Sequence, residues 1–328
     1  MTGAPSLTDP LSEAEIEAAR RRIAGAAIRT PLVPARDGRT HLKLECLQPT
    51  GSYKIRGATN ALKARLESGP PPCAIVTASA GNFGQALVGA AASLGLPAIV
   101  HVPDKAARVK VDNLRRMGAT VREHSFEAWW RIMETRETGE AEEEGAAFFH
   151  PVCEREVIAG AATIGEEIVE DLPGVEAVLI PIGGGGLACG IAQAVKRHRP
   201  DCRILAVETD TALPLKAALA AGAPVTVERT PSFIDGMGST RVLDAMWPLL
   251  QCLIDDVIVV TVVEVEEAIR RLAAEHHVIA EGAGAAAVAA AAKMDLTSAV
   301  AIVSGGNLDW NELRRILMAE DKRQPPKA

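Results

Sequence analysis

Aromatic side chains are scarce in this chain: five Phe, four Trp and one Tyr make up 3% of its 328 residues. Its 48% apolar content must therefore pack mainly through aliphatic residues and abundant alanine, and at this length it can fill the core of one or two domains. The six cysteines (Cys46, Cys73, Cys153, Cys189, Cys202, Cys252) are scattered and form no C-x-x-C pair. That excludes a zinc ribbon or a disulfide frame and predicts reduced thiols in the cytoplasm. A basic excess is missing too: 35 Lys and Arg against 42 Asp and Glu leave a net charge of −7. A field of that sign opposes nucleic acid and anionic membranes. The cluster Arg20-Arg21-Arg22 shares its stretch with Glu13, Glu15 and Glu17 and reads as a solvated helix face. No signal peptide is visible over residues 1–17, and apolar stretches such as 282–292 are too short and alanine-rich to span a bilayer.

Periodicity supplies the architecture. Ser12-x-x-Glu15 is a capping box before Ile16, Ala19 and Ile23 at helical spacing. Short apolar runs at 41–45, 74–78, 98–102, 120–122, 177–182, 204–207, 257–261 and 299–303 predict strands. Helical patterns near 83–94, 105–117, 154–171, 187–198, 212–221, 264–276 and 283–293 lie between them. Such alternation predicts an α/β fold with open, largely parallel sheets and helices on both faces. The acidic stretch from Glu134 to Glu144 reads as a solvated helix end and loop, and marks a boundary between two lobes. The tail from Gln324 reads as disordered.

Three glycine-bearing loops follow strands and precede helices, where open α/β sheets bind ligands. They are Ser79-Ala80-Gly81-Asn82-Phe83-Gly84, Gly183-Gly184-Gly185-Gly186 and Ser304-Gly305-Gly306-Asn307. Four successive glycines let backbone N–H groups approach an anion unobstructed, and the helix from Leu187 adds its positive end, so a phosphate is the natural guest. Two cofactors remain open here. Gly183-x-Gly185-x-x-Ala188 satisfies a dinucleotide fingerprint, with Glu208 placed as a ribose-binding acid would be, which predicts an NAD-dependent oxidoreductase. Alternatively, Lys54, after the flexible turn Thr50-Gly51-Ser52-Tyr53 and at the start of a helical pattern, can form a Schiff base with an aldehyde cofactor. No P-loop motif is present.

The company of Lys54 narrows the choice. Lys43-Leu44-Glu45-x-x-Gln48-x-Thr50-Gly51-Ser52-Tyr53-Lys54-x-Arg56-Gly57-Ala58-x-Asn60, then Ser79-Ala80-Gly81-Asn82, Pro181-x-Gly183-Gly184-Gly185-Gly186-Leu187 and Ser304-Gly305-Gly306-Asn307 occur in that order. Together they resemble the fold-type II pyridoxal-phosphate enzymes, in the branch of threonine/serine ammonia-lyases (dehydratases) and serine racemases. The resemblance runs from Arg29-Thr30-Pro31-Leu32 to Asn307.

The resemblance implies a tryptophan synthase β-like fold. A large cofactor-binding domain would comprise residues 1–73 and 146–328, and a small mobile substrate domain residues 74–145, with no C-terminal regulatory domain. It implies a homodimer and β-elimination on an amino acid such as L-threonine or L-serine, giving a 2-oxo acid and ammonia. Lys54 would carry pyridoxal 5′-phosphate and act as base at Cα. Gly183, Gly184, Gly185 and Gly186 would hold the phosphate, Tyr53 would border the ring, Gly236 would join the cofactor site, Asn82 would meet the ring's 3′-oxygen and Ser304 its nitrogen. Ser79, Ala80, Gly81, Asn82 and Phe83 would receive the substrate. Phe83, Val152, Ala161 and Ala162 are departures from the family pattern that make the substrate side more apolar, which predicts a pocket for a bulkier β-substituent. Ala80 stands where racemases carry a serine, which predicts little racemisation. Glu208 and Ala212 match the branch's cation site, but Pro214 replaces its aspartate, so no metal is expected. Glu281 is either a family acid near the cofactor or a helix-dipole partner.

Overall fold

A computed structural model describes residues 6–106, 108–139 and 144–319. Part of the acidic stretch expected at the lobe boundary, and the tail from Gln324, lie outside the described residues.

The first helix, α1 (Glu13–Ile23), begins with the predicted capping box: Ser12 Oγ accepts from Glu15 N and the Glu15 carboxylate accepts from Ser12 N. Ile16, Ala19 and Ile23 form its buried stripe. The remaining chain alternates between two sheets. The larger has six strands in the order β1 (Leu32–Pro34), β2 (Thr40–Lys43), β10 (Ala299–Ile302), β7 (Ala177–Pro181), β8 (Arg203–Thr209) and β9 (Asp256–Val260). Its one antiparallel pair is the edge strand β1 on β2. The smaller, wholly parallel sheet runs β5 (Thr120–His124), β4 (Ala98–Pro103), β3 (Ile75–Thr77), β6 (Ala147–Phe148).

The period-two rule explains why the larger sheet is sandwiched. Val178, Ile180, Ile204, Ala206, Val300 and Ile302 point into one apolar cluster with α1, α6 (Arg155–Asp171) and α7 (Gly186–His198). Their neighbours Ala177, Leu179, Leu205, Val207, Ala299 and Ala301 point into another, under α10 (Val262–His276) and α11 (Gly282–Ala291). A third cluster lies against the smaller sheet, which carries α3 (Asn82–Ser93) and α4 (Arg108–Arg116). Among the described residues no helix is long and apolar enough to cross a membrane, and all six cysteines are unpaired.

Sheet membership does not follow the expected division at every point. Strand β6, at residues 147–148, completes the smaller sheet, so that sheet extends past residue 146. Helix α2 (Lys54–Glu67) buries Ile55, Ala58, Ala61 and Leu62 in the smaller sheet's core, although residues 54–67 precede it in sequence. The reason is burial: the apolar face of this helix packs against α3, on the smaller sheet's side, while the helix also lies against α6.

Candidate active site

Strand β7 ends at Pro181, β10 at Ile302 and β3 at Thr77, and the loops that follow them converge on one cavity of about 580 Å³ between the two sheets. Tyr53, Lys54, Ser79, Ala80, Gly81, Asn82, Phe83, Gly183, Gly184, Gly185, Gly186, Gly236 and Ser304 all line it.

Lys54 opens α2. The turn before it is stitched to the loop after β10: Tyr53 N donates to Ser304 O at 3.0 Å and Gly306 N to Gly51 O at 2.8 Å. Gly51 has φ 72°, and a Cβ there would meet the Asn307 side chain at 2.2 Å, so only glycine serves. The ammonium donates to Pro151 O at 3.1 Å and lies 5.1 Å from the Tyr53 ring centroid and 5.7 Å from that of Phe83. Pro151 is fixed by His150. Burial, then Arg136 and Lys54, pushes this imidazole down to about 4. It is neutral at pH 7, and its Nδ1 accepts from Val152 N and Cys153 N.

Two residues beyond Lys54, Arg56 is 1% exposed. It donates to Glu45 through Nε and Nη2, at 2.9 and 2.8 Å, and to Glu167 through Nη1 and Nη2, at 2.7 and 2.9 Å. Lys43 donates to Glu167 at 2.6 Å and to Thr30 O at 2.8 Å. Gln48 reaches Glu45 at 3.1 Å. Lys43, Glu45, Gln48 and Arg56 are thus not cavity residues. Together with Glu167 they form a buried, charge-balanced knot that fixes the start of α2.

The four-glycine loop fits a phosphate. A Cβ at Gly183 would lie 2.5 Å from Gly236 O and one at Gly184 2.5 Å from Val152 Cγ2. Gly185 has φ 94° and caps α7, whose first turn begins at Gly186. The cradle is therefore bare backbone at a helix N-terminus, and with a lysine on the same cavity it has the donor set pyridoxal phosphate requires. Gly81 caps α3, which begins at Asn82, so Ser79 to Asn82 offer a second N-terminal site suited to a carboxylate.

Asn82 is held from two sides. Its Nδ2 donates to Glu281 Oε1 at 2.8 Å, and its Oδ1 accepts from Asn307 Nδ2 at 2.9 Å. Glu281 occupies the N-cap of α11 but makes no side-chain capping bond. Its side chain lines the cavity, while its place at the N-cap leaves it beside the helix dipole as well. Burial, then Asp235, pushes its carboxyl up to about 7 against the pull of Lys110, Asn82 and Lys54. Asp235 itself pairs with Lys110 of α4, an ion pair that joins the two lobes at the cavity wall.

Two sequence expectations need correction. Glu208 is no ribose ligand: buried, it accepts from Leu215 N at 2.7 Å and Lys216 N at 3.0 Å and so caps α8 (Pro214–Ala221). The NAD reading loses its acid. Ala161 and Ala162 do not widen the substrate pocket. They face α7, where Gly190 leaves no room for larger groups, and Ala161 borders only a separate void of about 10 Å³ behind Lys54. Phe83 lines the cavity, yet its ring is 1% exposed and belongs to the smaller sheet's core. Sequence reasoning missed Lys110, Asn307 and the aromatic pair Phe126 and Trp129 on the cavity wall. Two adjacent tryptophans in a chain so poor in aromatics were the available signal.

Comparison with known proteins agrees with this geometry. Residues 23–305 match the family model described as pyridoxal-phosphate dependent enzyme. An L-threonine ammonia-lyase of Thermotoga maritima is 36% identical, covering 92% of this chain and 77% of that protein. The catabolic L-threonine dehydratase TdcB of Escherichia coli is 34% identical over 94% of this chain and 96% of its own length. Among solved structures, maize serine racemase superposes with a TM-score of 0.84 at 32% identity, covering 94% of this chain and 97% of that one. The chain belongs to the pyridoxal-phosphate-dependent enzyme family, with the α/β architecture of its fold-type II members.

Proposed function

We propose that this protein is an ammonia-lyase that removes water from a β-hydroxy amino acid such as L-threonine or L-serine and yields a 2-oxo acid and ammonia. One observation carries the reading: the Lys54 amine shares a single cavity with a glycine cradle at a helix N-terminus and a second helix N-terminus at Asn82. When bound, pyridoxal phosphate supplies an electron sink for the pair left at Cα.

Gly183 to Gly186 would hold the cofactor phosphate, with Gly236 packed against Gly183, and Tyr53 would border the ring. Asn82, pinned by Glu281 and Asn307, would offer its amide to the ring oxygen. Ser304, 3% exposed, would offer a neutral hydroxyl to the ring nitrogen. A hydroxyl does not hold that nitrogen protonated as a carboxylate would. The group would then supply a weaker electron sink, which would suit prompt loss of a β-hydroxyl. Ser79, Gly81 and Asn82 receive the substrate carboxylate beside Ala80 and Phe83. Lys54 Nζ takes the Cα proton, the Cβ–O bond breaks with release of water, and the enamine set free hydrolyses to 2-oxo acid and ammonia. Alanine at position 80 cannot return a proton to the other face, which speaks against racemisation.

The smaller lobe, close to residues 74–145, closes over the substrate, with Lys110 and Asp235 joining it to the larger. The working form is a homodimer in the cytoplasm, a reducing compartment that suits six unpaired thiols. The test is incubation of the yellow holoenzyme with a panel of β-hydroxy amino acids, measuring 2-oxo acid and ammonia. Lys54→Ala must lose both colour and turnover. A Lys54→Ala enzyme that still produces oxo acid at the parent rate overturns the assignment.

A further inference from the structure

The mouth of the cavity carries an aromatic wall that the chemistry above does not use. Helix α5 (Phe126–Thr135) places Phe126, Trp129 and Trp130 within five residues, in a chain with only ten aromatics. Their ring centroids lie 5.7, 6.2 and 6.1 Å apart, so they pack on one another. None of the three belongs to the buried core clusters, and Phe126 is 56% exposed. The one buried residue of α5 is Ile132, so the aromatic trio is not what anchors the helix. Phe126 and Trp129 line the cavity beside Pro103 and Ala106, and Met237 and Val152 add apolar surface from the larger lobe. The Trp129 indole N–H is shielded from solvent and has no acceptor among the described residues. A contiguous apolar surface left uncovered at a cavity marks a ligand-binding wall, and aromatic rings favour flat partners.

We propose, on the basis of the ammonia-lyase reading, that this wall selects β-hydroxy amino acids whose β-carbon carries an aryl or similarly large apolar group. Such a substrate loses water across Cα and Cβ, and hydrolysis of the enamine gives an aryl 2-oxo acid and ammonia. Trp129 and Phe126 are specificity residues that contact the β-substituent, and they take no part in proton transfer. Methyl or hydrogen at Cβ would leave the wall unfilled.

The experiment compares kcat/KM of the holoenzyme for β-phenylserine and L-serine, followed as phenylpyruvate and pyruvate. The ratio must exceed one and must fall at least tenfold in Trp129→Ala and in Phe126→Ala. A second arm reads binding without turnover: the holoenzyme's visible absorption is titrated with L-phenylalanine and L-alanine, which lack a leaving group. Phenylalanine must half-saturate at a concentration at least tenfold lower, and Trp129→Ala must erase that advantage. Turnover of serine with rejection of phenylserine, or a ratio unmoved by either substitution, overturns the wall and leaves the elimination reading intact. Preference for 3-hydroxyaspartate also overturns it, because Lys105 and Arg229 line the same cavity and would then read the β-substituent. Tighter binding of phenylalanine without turnover of any hydroxy amino acid supports the wall and sinks the elimination reading.

Discussion

Replacing Arg56 by methionine tests whether the knot beneath Lys54 is held together by charge balance. Lys43, Arg56, Glu45 and Glu167 sum to zero charge and are all buried. Methionine keeps most of the volume and removes one positive charge, so the cluster is left at −1. A buried, unpaired carboxylate costs several kcal/mol. The variant escapes by taking up one proton, and the cost of protonation sets the ceiling. With a glutamate reference pKa of about 4.3 and about 1.36 kcal/mol per pH unit, that ceiling is about 5 kcal/mol at pH 8 and about 1 kcal/mol at pH 5. Glu45 and Glu167 also lose the bonds they received from the guanidinium, at 2.7–2.9 Å. Urea unfolding of wild type and Arg56→Met at pH 5, 7 and 8 reads the difference. The stability gap must widen with pH, because the folded variant binds one more proton than the unfolded chain does. Arg29→Ala is the internal comparison: this arginine pairs with Glu170 and Asp171, but its side chain is 44% exposed, so its loss costs about 1 kcal/mol or less. A gap that is the same at pH 5 and pH 8, or no larger than that of Arg29→Ala, refutes the reasoning.

Other substitutions probe the site itself. Gly183→Ala places a Cβ 2.5 Å from the Gly236 carbonyl. Because backbone must give way, cofactor affinity falls at least tenfold, measured by titrating apoenzyme with pyridoxal phosphate. Ala80→Ser supplies a hydroxyl on the cavity wall. Incubation of L-serine in D₂O, followed as pyruvate and D-serine, shows at most trace D-serine for wild type and more for the variant. D-serine outpacing pyruvate in wild type would reverse the assignment. Burial holds the Glu154 carboxyl up at about 7 against the pull of His150 N and Arg136. A raised carboxyl contributes full stability below its unfolded value and loses it as pH rises through 7, on the order of 3 kcal/mol. Glu154→Gln should therefore flatten the decline in melting temperature between pH 5 and pH 8.

Strands and helices with strong periodicity were legible in the sequence. The run at 98–102 became β4 (Ala98–Pro103), and the pattern at 154–171 became α6 (Arg155–Asp171). Elements without a period of their own were not. Strand β6 is two residues long and exists because β3 pairs with it. Strand β1 ends in a proline and runs antiparallel at the sheet edge. Helix α9 (Trp247–Leu253) starts at a Trp-Pro step that reads as a breaker but serves as a helix first turn. At the site, glycines and Lys54 announced themselves because their chemistry is local. The roles of Arg56, Glu45 and Glu167 were hidden because their meaning lies in contacts up to 124 residues apart along the chain. Glu281 could not be decided from sequence, since a helix N-terminus accommodates a carboxylate whether or not the side chain turns back to cap it.

Helix α2 explains why those distant contacts matter for catalysis. Its apolar face packs into the smaller lobe through Ile55, Ala58, Ala61 and Leu62, while Arg56 ties it to Glu45 beside β2 and to Glu167 on α6. Lys54, at its first position, is also held through Tyr53 N to Ser304 O at the end of the larger sheet. The Lys54 amine thus stands where both lobes grip one helix, and its position relative to Ser304 and the glycine cradle is set by backbone hydrogen bonds and the charge knot. The links to the Ser79–Asn82 loop and to α4 are of a different kind. They run through the side chains of Asn82, Asn307, Glu281, Lys110 and Asp235. A lobe displacement can break such contacts without disturbing any strand or helix. The order of strengths follows: Lys54 and the glycine cradle are held by the fold's own backbone, whereas the Ser79–Asn82 loop is held to the other lobe through side chains. That division suits an enzyme that must keep its cofactor through every turnover yet admit and release a new substrate each time.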